Sequence, residues 1–243
     1  MRACLSIAVF AASICLQPVF AAPVIFSGQD LQNNTTDPRP NADAARTAFL
    51  AAVGATSSID FENQVVGNGN PVNPAFGVTV TFSNFGGNTI SNDASTILGY
   101  NTTPAGSLFL RLDSAQGFTT ELTFAFTSPV EFFGMFITGA GDGLGGVRLL
   151  FNDGATQNLL IANADEHVPG RIAFFGFTDF GAPFSSVTIR IQQDGGISDD
   201  VIGIDDVLLP AIVPEPASLW LAGTGLGLLM WDRCRRLRGN HEE

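Results

Sequence analysis

The residues able to do chemistry in this 243-residue chain are few, and most are acidic. Between Ala22 and Val213 there is one histidine, His167, in the loop-like stretch ADEHVPG. A Ser-His-Asp triad needs an oriented imidazole, so His167 is the only residue there that can serve as its base. No nucleophile-elbow pattern accompanies it, and one histidine builds neither a two-His nor a three-His zinc set. The context reads as a solvated loop histidine. The three cysteines, Cys4, Cys15 and Cys234, lie in the terminal segments. The central region therefore has no disulfide, Cys nucleophile or Cys-ligated metal.

Carboxylate chemistry remains. Asp60, Glu62, Glu121 and Glu131 fall in stretches that read as strands. Paired acids can hydrolyse glycosides, but nothing in the spacing sets two of them across a cleft. Outward positions on half-buried strands account for them. Hard cations want several carboxylate and carbonyl oxygens at one point. SDDVIGIDDV puts Asp199 and Asp200 before a strand, and Asp205 and Asp206 near its end. In many jelly-roll sugar-binding modules an acid late in the last strand meets a ligand from the first strand. By that analogy of fold, Glu62, Asp205 and Asp206 are candidate ligands of a structural Ca2+. The alternative is a solvated edge, with Asp205 outward and Asp206 capping a turn. The Gly-rich stretch around Asp142 offers a single acid, and no EF-hand spacing occurs. Sugar-binding sandwiches stack sugars on exposed Trp or Tyr. Trp220 and Trp231 both lie near the C-terminus, which leaves Tyr100, in GYNTTPAG, as the candidate ligand-binding aromatic.

The elements that must carry these residues read mainly as β. Glycine (27) and phenylalanine (21) are abundant, and only 14% of residues are charged. That mix favours strands and turns over helices. NADAARTAFLAAVG predicts one short helix, capped by Asn41 or Asp43 and ended by Gly54. The polar stretch Ser27 to Pro40 before it reads as an irregular lead-in. From Ile59 the apolar period becomes two, and about ten short strands follow, from SIDFE to VIGIDDVLL. Turn signals such as Asn152-Asp153-Gly154 and Val168-Pro169-Gly170 separate them. The pattern predicts an antiparallel β-sandwich of jelly-roll type over 58–210, preceded by the 22–57 lead-in with its helix. A β-helix is the second reading.

Charge restricts the partners. All eleven basic residues are Arg, and six of them stand against nineteen Asp and Glu between Ala22 and Val213, a net charge of −13. So acidic a surface repels nucleic acid.

The two ends read as addresses. Arg2, the apolar run Leu5 to Leu16 and Val19-Phe20-Ala21 make a signal peptide over residues 1–21, cleaved after Ala21. At the other end the apolar run from Ala217 to Trp231 has 15 residues. As a helix it would reach about 22 Å, short of a hydrocarbon core about 30 Å thick. Arg233, Arg235, Arg236 and Arg238 would hold the C-terminus in the cytoplasm.

Val213-Pro214-Glu215-Pro216-Ala217-Ser218, then a short transmembrane helix over 217–231, then the Arg cluster, resembles the PEP-CTERM sorting signal over 213–239. The resemblance implies a Gram-negative bacterium, recognition by an exosortase-type enzyme, and cleavage near Pro214-Glu215-Pro216. It also implies anchoring in the inner membrane before processing, a final place at the cell surface or matrix, and a link to exopolysaccharide or biofilm. Taken together, the expectation is a non-catalytic structural or adhesive β-sandwich sorted to the envelope. The rivals are a calcium-dependent carbohydrate-binding module and a glycoside hydrolase.

Overall fold

The computed structural model describes residues 23–67, 72–74, 77–83, 89–113, 120–140, 147–152, 159–164, 170–193 and 201–211. Outside them lie the signal peptide, Asp142, Asp153 and Gly154 of the expected turn, His167, Asp199 and Asp200. So do Pro214, Glu215, Pro216, the run 217–231, and Arg233, Arg235, Arg236 and Arg238.

The described residues form twelve strands and one α-helix. The strands are β1 (Val24–Leu31), β2 (Thr56–Ile59), β3 (Val78–Ser83), β4 (Thr89–Ser91), β5 (Phe109–Asp113), β6 (Thr120–Val130) and β7 (Phe132–Ala140). They continue as β8 (Val147–Asn152), β9 (Leu159–Ala164), β10 (Arg171–Thr178), β11 (Phe184–Gln193) and β12 (Val201–Pro210). The helix α1 spans Pro40–Val53. One sheet has seven strands in the order β1-β10-β7-β12-β5-β4, with β2 also paired to β12. The other has five, in the order β3-β6-β11-β8-β9. Every pairing between these strands is antiparallel, which excludes a β-helix.

The two sheets share one core. Val80, Leu122, Phe124 and Ile189 of the smaller sheet pack in one cluster with Phe133, Ile137, Phe175 and Ile204 of the larger. Alternation along β6 follows from this, since Leu122 and Phe124 point inward and Glu121 and Thr123 do not. In contrast β7, β10 and nearly all of β12 are buried residue by residue. These strands are covered on both faces, and hence read as unbroken apolar runs such as FFGMFITGA.

Part of the second cover is α1. Its Phe49 packs with Phe132, Phe136 and Phe174 in a separate cluster on the outer face of the seven-stranded sheet. The ring rests on bare backbone: a Cβ added at Gly176 would stand 2.5 Å from Phe49 Cδ2. The helix begins at Pro40 rather than at an Asn or Asp cap. Its first amides are satisfied from outside, by Asp30 of β1. The Asp30 carboxylate accepts the Ala42 N–H at 2.9 Å and the Asn41 N–H at 3.3 Å. Asp43, read as a cap, instead pairs with Arg39 at 3.1 Å.

Two further expectations are corrected, and one strand lies outside the expected set. The lead-in opens with an eight-residue edge strand, β1, whose hydrogen-bond partner β10 is remote in sequence. The three-residue β4 was too short to register as a period. SIDFE stops being a strand at Ile59, because Phe61 takes a left-handed backbone at φ 59°. Asp60 and Glu62 therefore stand in a turn, and exposed Glu131 stands between β6 and β7.

Candidate functional site

The acids singled out near the end of the chain sit where β12 changes partners. Val201 to Ile204 pairs with β5, and Val207 to Pro210 pairs with β2. Asp205 and Asp206 lie at the break. On the opposite edge the register against β7 also shifts: Asp205 faces Phe136, but Leu208 faces Gly134. That extra residue is a β-bulge, and Asp206 absorbs it with φ at 48°. Asp is among the few residues that tolerate this conformation. In a regular strand two neighbouring carboxylates would point to opposite faces. Here the bulge brings both to one side.

They meet the loop between β4 and β5. The Asp205 Oδ2 atom accepts the Thr102 N–H at 2.6 Å and the Thr103 N–H at 3.1 Å. The two threonine hydroxyls are shared between the acids. Thr102 Oγ1 lies 3.0 Å from Asp205 Oδ2 and 3.2 Å from Asp206 Oδ2. Thr103 Oγ1 lies 2.9 Å from Asp206 Oδ1 and 3.3 Å from Asp205 Oδ2. Glu62 grips the other limb of the loop. Its Oε1 accepts Asn101 Nδ2 at 2.8 Å, Ser107 N–H at 2.7 Å and Leu108 N–H at 2.8 Å. The loop lies so flat on the sheet that Gly99, at φ 88°, rests on the backbone of Gly203. Beside it the Tyr100 N–H donates to Thr138 Oγ1 at 2.9 Å, and that hydroxyl donates back to the Tyr100 carbonyl at 3.0 Å.

Burial sets the electrostatics. Asp205 is fully buried and Asp206 is 8% exposed. The second oxygen of Asp205, Oδ1, is buried without a hydrogen-bond partner. Loss of solvent pushes the Asp205 carboxyl up to about 7, against the lowering pull of the Thr102 N–H, with the Asp206 charge adding to the rise. An orphaned buried carboxylate oxygen is costly unless a proton or a cation meets it.

The structure thus brings Glu62, Asp205 and Asp206 to one loop, but through different parts of it. Among the described residues no group of three or more His, Cys, Asp or Glu is placed to hold a metal ion. The arrangement is a polar clamp: carboxylates that looked available for chemistry accept hydrogen bonds from backbone and hydroxyls. Glu121 is likewise engaged, with Arg190 at 2.6 Å. Tyr100 is corrected outright as a sugar platform. It is 2% exposed, belongs to the Phe49 cluster, and its ring faces are covered. The residues that sequence reading missed are Asn101, Thr102 and Thr103. Their only signal was a run of small polar residues in GYNTTPAG, which says loop and not where the loop lies.

Residues 213–236 match the PEP-CTERM protein-sorting motif. The chain thus carries the signal, which implies export, membrane anchoring before exosortase cleavage, and a Gram-negative bacterium. No curated protein matches the sequence. Among solved structures, one similar chain is the K2 cleaved adhesin domain of Lys-gingipain, with a TM-score of 0.40 and 15% identity over 64% of this chain and 97% of that one. A mutant family 29 carbohydrate-binding module has a TM-score of 0.32 and 16% identity over 67% and 99% of the two chains. The Agl-KA catalytic domain has a TM-score of 0.28 and 15% identity over 67% and 29%. At these scores the likenesses decide nothing about fold or function.

Proposed function

We propose that this is an envelope or matrix protein whose β-sandwich, read as of jelly-roll type, is a non-catalytic structural or adhesive module. Exosortase processing places it at the cell surface or in an exopolysaccharide matrix. The observation that carries the reading is the sorting motif at 213–236, which follows the end of β12 after two residues. The polar clamp supports the non-catalytic part, since it gives Glu62, Asp205 and Asp206 a hydrogen-bonding role that needs no substrate. Mass spectrometry of cell-associated and released protein tests the sorting. The expected released chain ends near Pro216; arginines retained in every fraction would replace sorting with a plain anchor.

A calcium-dependent polysaccharide-binding module is the second reading. The observation behind it is Asp205 Oδ1, buried and unpartnered beside Asp206. A divalent cation there would take oxygens from the clamp. It predicts a melting temperature that rises with millimolar calcium and loses that rise in Asp206→Ala. A flat melting curve across the titration would remove it.

A further inference from the structure

Both ends of the described sandwich leave from one end of the seven-stranded sheet. Val24 pairs with Thr178, and Thr178 with Phe132. Two residues along β7, Gly134 pairs with Leu208, and Pro210 pairs with Thr56. The first residue of β1 and the last of β12 therefore stand in one row. Three strand spacings separate them, about 14 Å. Beyond this row come Ala211, whose N–H reaches the Ala55 carbonyl at 3.3 Å, and then the sorting segment.

The tether is short. Ala217, where the apolar run begins, is six residues past Ala211. Fully extended, six residues reach at most about 22 Å. While the apolar run is in the bilayer, this end of the sandwich cannot leave the membrane surface by more than that. Until it is cleaved, the signal peptide imposes the same geometry, because Ala21 is only three residues before Val24.

Exposed large apolar side chains occur elsewhere too, Leu31, Val65, Val66 and Ile97 among them, so what marks this end is exposed apolar surface with little charge around it. Val24, Ile25 and Phe180 are 47%, 46% and 45% exposed. Exposed Thr127, Ser128 and Pro129 stand at the same end, just before Val130, which pairs with Phe184 at the start of β11. An apolar cavity of about 460 Å³ opens between Phe126 to Val130 and Leu209 to Ala211, and no titratable side chain lines it. In the described stretches 24–26, 53–56, 126–132, 178–183 and 209–211 the only charged residues are Glu131 and Asp179. The Asp179 carboxylate is turned inward onto the Gly181 and Ala182 amides at 3.2 and 3.1 Å. A chain with net charge −13 between Ala22 and Val213 is repelled by an anionic membrane, so it approaches by the part that presents least charge.

We propose that this end of the sandwich is a lipid-facing docking surface, on which Val24, Ile25 and Phe180 rest against the membrane while the chain is anchored. The surface rests on the sorting reading, which supplies the anchor. Docking would present the Pro214-Glu215-Pro216 triplet at a constant height above the bilayer, where a membrane-embedded processing enzyme meets it.

The test uses the chain as it stands after signal-peptide removal, Ala22 to Glu243, with Cys234 changed to Ser. Single cysteines at Ser128→Cys and, at the opposite end, Leu31→Cys carry a fluorescent dye. The protein is reconstituted in phosphatidylethanolamine vesicles with a minor share of phosphatidylglycerol and a headgroup-nitroxide lipid. The expected result is several-fold stronger quenching at position 128 than at 31, reduced by Phe180→Asp together with Ile25→Asp. Those two residues are half exposed, so the fold tolerates the change. Equal or absent quenching at both positions, with the protein still sedimenting with vesicles, would overturn the docking surface and leave the anchor intact. Failure to sediment with vesicles would remove the anchor and the docking together. Shielding of position 128 in a dimer, without lipid quenching, would assign this end to a second copy and overturn the proposal.

Discussion

The outer face of the seven-stranded sheet is covered twice, by two kinds of chemistry. Over β10 and β7, α1 lays Phe49 on the bare backbone of Gly134 and Gly176. Over β12 and the end of β7, the loop 99–108 is held by Glu62, Asp205, Asp206 and Thr138. The first cover is apolar, and its contacts add up as area. The second is polar and buried, where a hydrogen bond left unmade carries the full desolvation penalty of its group. Lost pieces should therefore weaken the helix cover in proportion to volume, and the loop cover in proportion to the donors left stranded.

The largest expected effect breaks the apolar side. Phe49→Ala removes the ring that meets Phe26, Phe132 and Phe174, and should lower unfolding free energy by about 4 kcal/mol in a urea titration. A loss below about 1 kcal/mol would mean that α1 is no cover and that its cluster is not a second core.

Next comes the polar side. Asp205→Ala strands the buried Thr102 amide and the Thr103 amide, leaves the two threonine hydroxyls to Asp206 alone, and should cost about 3 kcal/mol. Asp205→Asn keeps an acceptor without the buried charge and sharpens the comparison through pH. The folded carboxyl is raised to about 7 while the unfolded one titrates near 4, so the folded chain holds the extra proton between those values. Stability contributed by this group is complete below about pH 4 and falls as pH climbs to about 7. Relative to wild type, Asp205→Asn should melt progressively higher from pH 5 to 8. Calcium that erased this difference would place a cation on Oδ1; a difference independent of pH would show a solvated Asp205.

How much of this was legible follows the same division. Ten of the strands came from period-two patterns or apolar runs, because burial on one or both sides of a sheet writes itself into every residue of the strand. The helix came from its alanines. β1 did not, since VIFSGQDL is an edge with mixed exposure and its polar Asp30 serves a helix twelve residues away. The clamp was half legible. Glu62, Asp205 and Asp206 could be grouped by an analogy of fold, but their partners could not. Thr102 lies 103 residues from Asp205, and no local pattern encodes a bond of that span. Tyr100 was misread because a lone aromatic in a polar loop looks exposed, whereas that loop lies flat on a sheet.

A smaller effect falls on the outer limb of the loop. Glu62→Ala frees the Ser107 and Leu108 amides, while Asn101 Nδ2 keeps the Leu108 carbonyl at 2.6 Å; Ser107 is exposed and water can replace the carboxylate there. The global loss should be about 1 kcal/mol. Amide exchange should rise through 101–108 well before it rises in β12, marking a loop that opens while the sheet holds. Exchange rising equally in both would make the loop and the sheet one cooperative unit.

The smallest effect sits where the two covers meet. Tyr100 belongs to the loop by its backbone and to the Phe49 cluster by its ring. Its hydroxyl is buried without a partner, and burial pushes its pKa up to about 12. Removing an unpaired oxygen relieves a desolvated group and leaves the packing in place. Tyr100→Phe should thus be neutral or stabilising by less than about 1 kcal/mol. The chain has one tyrosine, so phenolate absorbance reports this residue alone. Ionisation should be absent until about pH 12 or until the protein unfolds in alkali. A phenol titrating near its ordinary value of about 10 would mean the ring faces solvent. The loop would then be held by its acids alone, and the aromatic would again be free to meet a sugar.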